Sequence, residues 1–189
     1  LDGISAAIRY ELGPVKVNCV VQRGVNEHQI PKLVRKFRGS GVIVRFIEFM
    51  DVGSTNGWTQ GQVVPTSEII DFLSSEFDLT PLARKSASDV ASRWAHSDGS
   101  GEIGFISSVS QPFCGDCVRA RLSSDGKFFT CLFTTTGHDM SALIRSGRET
   151  DVLTQSIEEV WSARKDRYSE ERSSGAISLP RVEMSYIGG

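Results

Sequence analysis

The chain has 189 residues, of which 39% are hydrophobic and 23% charged, with a formal net charge of -2. That is the composition of a folded protein able to bury an apolar core, and its near-neutral balance excludes a general attraction to nucleic acid or anionic lipid. No stretch reads as a signal peptide or membrane span, and four cysteines, three of them clustered, suit a cytoplasmic metal site rather than a secreted disulfide scaffold.

The chain opens without Met inside an amphipathic stretch, with Leu1, Ile4, Ile8 and Leu12 at helical spacing. It reads as the back half of something longer. Gly13-Pro14 breaks that helix, and residues 15–21 form a strand with its apolar residues on the odd positions, so Lys16 and Asn18 face the other way and Cys19 is a small core residue. A second helix spans 31–38, with Pro31 in its first turn and Gly39 as its stop. Residues 42–50 then form an apolar strand interrupted by Arg45. On strands otherwise so apolar, Lys16 and Arg45 read as inward-facing ligands rather than surface charges. Helix, strand, helix, strand predicts successive units of a parallel α/β sheet or barrel, with function at the C-terminal strand ends.

Residues 51–64 form a long glycine-containing loop, of a length that is usually functional or mobile. Pro65-Thr66 introduces a helix that buries Ile69, Ile70, Phe72, Leu73 and Phe77, and a boundary is placed near residue 65. Residues 82–101 have weak periodicity and read as a crossover containing one short strand. A strand over 104–109 leads into the cysteine segment, and helices over 140–146 and 150–168 follow it, the second burying Leu153, Ile157, Val160 and Trp161.

Chemistry concentrates in Cys114-x2-Cys117-x13-Cys131, threaded through a hairpin with Arg119 and Arg121. Two thiolates one turn apart and a third returned by a hairpin can converge on one metal centre, and arginine forks beside them suit a phosphate or carboxylate. In an extended segment Cys117, Arg119 and Arg121 point the same way. The turn decides whether Cys131 joins them. A two-residue Asp125-Gly126 turn pairs Ala120 with Cys131 and sends its thiol to the far face. A three-residue Ser124-Asp125-Gly126 loop with left-handed Gly126 pairs Arg119 with Cys131, and this is the geometry predicted. Zinc, with His138 as a fourth ligand, and an iron-sulfur cluster both fit the spacing. The missing fourth cysteine leans toward a cluster with one iron open, because a structural zinc site is closed by four ligands. His28, His96 and His138 otherwise have no partner motif, and Trp58, Trp94 and Trp161 read as packing residues.

The run Phe113-Cys114-Gly115-Asp116-Cys117-Val118-Arg119-Ala120-Arg121-Leu122, followed by Asp125-Gly126-Lys127, Cys131-Leu132-Phe133 and a terminal Gly188-Gly189, resembles the C-terminal half of the GTP 3',8-cyclase family of molybdenum cofactor biosynthesis. Residues 15–21, 44–52 and 104–107 resemble it too; the likeness is weakest over 82–99 and 164–175. The resemblance implies an α/β fold: the last units of an incomplete (β/α) TIM-type barrel over 1–64, then a C-terminal α+β cluster-binding region over 65–189. It implies that Cys114, Cys117 and Cys131 hold a second 4Fe-4S cluster whose open iron takes the guanine of GTP. Arg119, Ala120, Arg121, Lys16 and Arg45 would bind or line the GTP site, Met50 would contact S-adenosylmethionine, and Gly188-Gly189 would be a tail reaching the active site. None of these is assigned a catalytic role.

The reaction implied is conversion of GTP to (8S)-3',8-cyclo-7,8-dihydroguanosine 5'-triphosphate, begun by a radical from S-adenosylmethionine. Its product would pass to cyclic pyranopterin monophosphate synthase. The family's first cluster sits on a Cys-x3-Cys-x2-Cys motif that this sequence lacks, so the chain alone is expected to be inactive, and a homodimer is expected by likeness to the family. Val118 stands where the family usually has Asn. A zinc-ribbon nucleic-acid module, or another radical S-adenosylmethionine enzyme with an auxiliary cluster, are the competing readings.

Overall fold

A computed structural model describes residues 1–86, 88–147, 149–172 and 182–187. The chain forms two compact units, one from Leu1–Met50 with Trp58–Pro112 and one from Asp51–Gly57 with Phe113–Gly189. Among the described residues no helix is long and apolar enough to cross a membrane.

The first unit is a mixed α/β layer. Helix α1 (Asp2–Arg9) precedes β1 (Lys16–Val21), α2 (Ile30–Phe37), β2 (Ile43–Glu48), α3 (Thr66–Ser74), β3 (Leu79–Leu82), β4 (Ser92–His96) and β5 (Glu102–Ile106). The sheet order is β1-β2-β5-β4-β3, parallel across β1, β2 and β5 and antiparallel from β5 to β3. Pairing of β2 with β5 therefore joins residues on both sides of position 64. One face of the sheet is apolar: Val21, Val44, Phe46, Ile103 and Phe105 pack with Ile30, Val34 and Phe37 of α2 and with Ile69 and Leu73 of α3. Each such side chain contributes about 1.5–3 kcal/mol by leaving water, and this burial sets the register, because a one-residue slip would turn every strand inside out.

The strand and helix positions follow the sequence patterns, with four departures. Of the apolar stripe in the opening stretch only Ile4 packs on the core, while Leu1, Ile8 and Leu12 remain exposed; α1 ends at Arg9, so Leu12 lies beyond the helix that its spacing implied. Phe72 is 51% exposed, because at about 100° per residue it falls well outside the stripe that Ile69, Ile70 and Leu73 define. The stretch over 82–101 holds the one short strand expected there, β4, but it is no crossover: β4 runs antiparallel to β5 and with β3 extends the sheet by two antiparallel strands. Trp94 is the anchor there, set edge-on to Phe105 at 6.3 Å between ring centroids. The last long helix is shorter than its periodicity suggests.

The second unit begins its ordered chemistry with a 3-10 turn (Cys114–Asp116) and continues as β6 (Arg121–Leu122), β7 (Lys127–Phe129), β8 (His138–Asp139), α4 (Ser141–Arg145), α5 (Thr150–Ser162) and α6 (Tyr168–Glu171). The three strands form one small antiparallel sheet, β6-β7-β8. Leu153, Ile157, Val160 and Trp161 of α5 are half-buried, none of them fully.

Candidate functional site

The hairpin of the second unit has the register of the three-residue loop. Ser123 N–H donates to the Lys127 carbonyl at 2.9 Å, Gly126 N–H donates to the Ser123 carbonyl at 3.0 Å, and Arg121 pairs with Phe129. Gly126 has φ +89, a left-handed conformation that costs glycine nothing and other residues a steric clash. Carried two residues past the paired strands, this register sets Arg119, not Ala120, opposite Cys131.

Side chains gather around that position. The turn at Cys114–Asp116, closed by Cys117 N–H on the Cys114 carbonyl at 3.2 Å, brings two thiols within one turn. Arg119 Nε donates to Cys117 Sγ at 3.3 Å, and its guanidinium lies 5.0 Å from the centroid of the Phe113 ring. Phe133 N–H donates to Cys131 Sγ at 3.5 Å. N–H donors aimed at sulfur are what a thiolate ligand set uses to disperse its charge.

The electrostatics tie the group together. Burial pushes the Cys117 thiol up, but the Arg119 amide and guanidinium more than offset this, and its pKa falls below the ordinary thiol value. Cys131 moves the other way: burial raises it most, the Phe133 amide pulls it back, and negative charge on Asp166, Cys114 and Cys117 raises it further. Sulfurs that raise one another in this way become easier to ionise beside a cation or a metal centre. Arg121 is pushed down by burial and by the neighbouring Arg119, and held up by Cys117 and Cys131. Two cations side by side, Arg119 exposed and Arg121 half-buried, likewise favour an anion. Ala120 is exposed between them, and Val118 is 64% exposed.

Among the described residues no group of three or more His, Cys, Asp or Glu side chains could hold a single metal ion. Ligands of a multi-iron cluster bind different irons and so stand further apart than ligands of one ion, and two of the three thiols, Cys117 and Cys131, have N–H donors aimed at them. His138 belongs to β8, opposite Phe128, and is exposed.

In the first unit Lys16 and Arg45 lie on the sheet face opposite the apolar core. Arg45 Nε donates to Asn18 Oδ1 at 2.8 Å, its cross-strand neighbour. Gly104 is the other neighbour, and a Cβ there would come within 2.9 Å of Arg45 Cγ; the glycine makes the room in which the arginine stem lies. Met50 is half-buried, two residues past β2. Gly188-Gly189 lies outside the described residues, while Tyr186 just before it donates its hydroxyl to Asp125 Oδ2 at 2.6 Å and sets its ring edge-on to Phe129.

Several residues here escape sequence reasoning. Asp51, 7% exposed at its side chain, pairs with Arg172 at 2.8 Å and accepts the Tyr168 hydroxyl at 2.7 Å. Arg172 in turn lies over the rings of Phe133 and Tyr168, themselves stacked at 4.7 Å. This cluster braces the segment that carries Cys131, and its partners are over a hundred residues apart in sequence. Arg164 is a second omission: its guanidinium sits 4.4 Å from the Trp161 ring centroid, Nη2 donates to the Cys114 carbonyl at 3.4 Å, and its charge favours the Cys117 thiolate. The one signal available was the Trp-x2-Arg spacing at the end of a predicted helix.

Fold and site together define a mixed α/β protein whose second unit carries Cys114, Cys117 and Cys131 with Arg119 and Arg121 on the same hairpin segment. The chain matches the family described as Molybdenum Cofactor Synthesis C over residues 42–170, and it belongs to that family. It is 49% identical over all 189 residues to the GTP 3',8-cyclase of Xanthomonas axonopodis pv. citri, covering 56% of that protein. It is also 42% identical over its whole length to the GTP 3',8-cyclase of Acidothermus cellulolyticus, covering 59% of it, and 45% identical over 93% of its length to that of Staphylococcus carnosus, covering 53%. The chain thus spans little more than half the length of these relatives, and the part it matches is their C-terminal part.

Proposed function

We propose that this chain is the substrate-binding, C-terminal part of a GTP 3',8-cyclase acting in molybdenum cofactor biosynthesis. Cys114, Cys117 and Cys131 would hold a 4Fe-4S cluster, Arg119 and Arg121 with the Ala120 backbone would bind GTP, and Lys16 and Arg45 would add positive charge along the polar face of the barrel-derived sheet. Met50 would contact S-adenosylmethionine, whose cleavage needs a first cluster held by the rest of the full-length enzyme. When bound, the cluster held here would supply an iron with an open position for the guanine base.

The chain's own residues supply binding and orientation. The arginines meet a triphosphate with paired N–H donors, each charge-assisted bond contributing about 1.5–3 kcal/mol. The repulsion between half-buried Arg121 and its neighbour Arg119 is relieved by an incoming anion, so binding and local charge balance favour the same state. A base and a phosphate chain held at two points leave the ribose little freedom, which is what a radical reaction at one ribose carbon needs.

One observation carries this reading: the Gly126 loop register, which pairs Arg121 with Phe129 and so runs Arg119 toward Cys131, while Arg119 bonds Cys117. Anaerobic reconstitution with iron and sulfide should yield a brown chain with about four irons. Calorimetry should then show GTP binding that falls about 10- to 150-fold in Arg119→Ala and in Arg121→Ala. A colourless chain carrying one zinc, or one that does not distinguish GTP from other nucleotides, would defeat the proposal. The spaced thiols and exposed His138 give the zinc-ribbon reading no support.

A further inference from the structure

We infer that Arg164 is a positioning residue of the cysteine centre, pinning the Cys114 turn through Nη2 and keeping Nη1–H for a sulfur of the bound cluster; the inference rests on the cluster reading above. Arg164 follows α5 by two residues and is turned back onto it, its own N–H bonding the Trp161 carbonyl at 3.2 Å. The indole face at 4.4 Å fixes the plane of the guanidinium. With that plane fixed, Nη2 reaches the Cys114 carbonyl at 3.4 Å. Helix end and cysteine turn, fifty residues apart in sequence, are thereby joined.

The other nitrogen is the informative one. Nη1 is shut off from solvent and has no hydrogen-bond partner among the described residues. A buried donor on a cation without an acceptor costs at least about 1–3 kcal/mol, and folded proteins very seldom leave one so. Two carboxylates line the cleft beside Arg164, but Asp166 is taken by the Thr130 hydroxyl at 2.5 Å and Glu159 by Gln155 at 2.9 Å. What the arrangement lacks is an anionic acceptor close to Cys114 and Cys117, and a cluster's sulfides or its thiolate ligands are acceptors of that kind. Arg119 already serves Cys117 from the hairpin side; Arg164 would serve the same centre from the helix side.

Hydrogen bonds and positive charge at cluster sulfurs make reduction easier, so the test is a potential rather than an activity. The 189-residue chain, reconstituted anaerobically with iron and sulfide, is compared with Arg164→Met, which keeps the apolar stem over Trp161, and Arg164→Lys, which keeps the charge. In the Met variant the cluster should become harder to reduce by at least tenfold in the reduction equilibrium, about 59 mV for one electron, as read by dye-mediated titration of its paramagnetic signal. The Lys variant should recover part of the shift. An unchanged potential in both variants, with only the unfolding midpoint of the iron-free chain lowered, means a structural prop and overturns the inference. Should the Met variant take up no iron, the Lys variant decides: iron restored supports the role, and iron absent with an iron-free chain of reduced stability overturns it. Failure of the unmodified chain to take up iron removes the cluster reading itself, and the inference with it.

Discussion

Replacing Glu48 by Ala should do more damage to the first unit than any other single change of a polar residue in its sheet. Glu48 ends β2 with a side chain of 0% exposure and accepts from four donors: Thr66 N–H at 2.8 Å, Val109 N–H at 2.8 Å, Ser110 N–H at 2.7 Å and the Ser110 hydroxyl at 2.5 Å. One carboxylate thus ties the first residue of α3 and the loop leaving β5 to the end of β2. Each buried donor left unmet costs about 1–3 kcal/mol. Water entering the space recovers some of it, so a net loss of about 3–5 kcal/mol is expected for Glu48→Ala. Glu48→Gln keeps the shape but turns an NH2 group toward N–H donors and weakens charge-assisted bonds, for a loss of about 2 kcal/mol. With a urea m-value of about 2 kcal/mol/M, the Ala variant should unfold at a midpoint lower by roughly 2 M, followed by Trp fluorescence and far-UV circular dichroism. Amide exchange at Thr66, Val109 and Ser110 should accelerate together. A midpoint shift below about 0.5 M for Ala, or a Gln variant as stable as the parent, would refute the reasoning, since it would mean that the four bonds do not carry the charge.

Three further outcomes are expected. Gly126→Ala should lose at least about 1–2 kcal/mol from the left-handed backbone, with a Cβ only 3.0 Å from Ser141 Cβ adding to it, and lower the melting temperature by at least about 2–8 °C, whereas Gly115→Ala, where a Cβ meets nothing within 4 Å, should be neutral; equal melting points for the two would contradict the assigned loop. Asp125, held down to about 2 by the Ser123 and Tyr186 hydroxyls, stabilises the fold above its unfolded pKa of about 3.9 and stops doing so as pH falls toward 2. Asp125→Asn should therefore flatten the acid limb of the stability curve between roughly pH 4 and 2 and leave the limb above pH 5 unchanged; an unaltered acid limb would show that the carboxylate is not coupled to folding. Cys19, whose thiol is raised by burial and packs against the core, should be replaceable by Ser with full iron uptake, while Cys131→Ser should lose most of its iron in a colorimetric assay; iron loss in both would implicate Cys19 as a ligand.

The amino-acid order alone determined the parts of this protein that rest on near neighbours. Alternation in residues 15–21 and 42–50 gave β1 and β2 and their polar face with Lys16 and Arg45. Pro31 and Gly39 bracketed α2, and Ser124-Asp125-Gly126 offered the three-residue loop whose register the hairpin takes. These are legible because backbone geometry, turn chemistry and side-chain period act over a few residues. What only the tertiary structure decided depends on partners far along the chain. Glu48 drew no reading from the sequence and becomes a buried post only when the start of α3 and the loop after β5 meet it; Asp51 gains its role from Tyr168 and Arg172, and Arg164 gains its role from Cys114. The opening helix shows the same limit from the apolar side, since periodicity marks a stripe but not whether anything packs on it. Burial converts an ordinary surface charge into a structural or site residue, and burial is a property of the folded assembly of segments, not of any one of them.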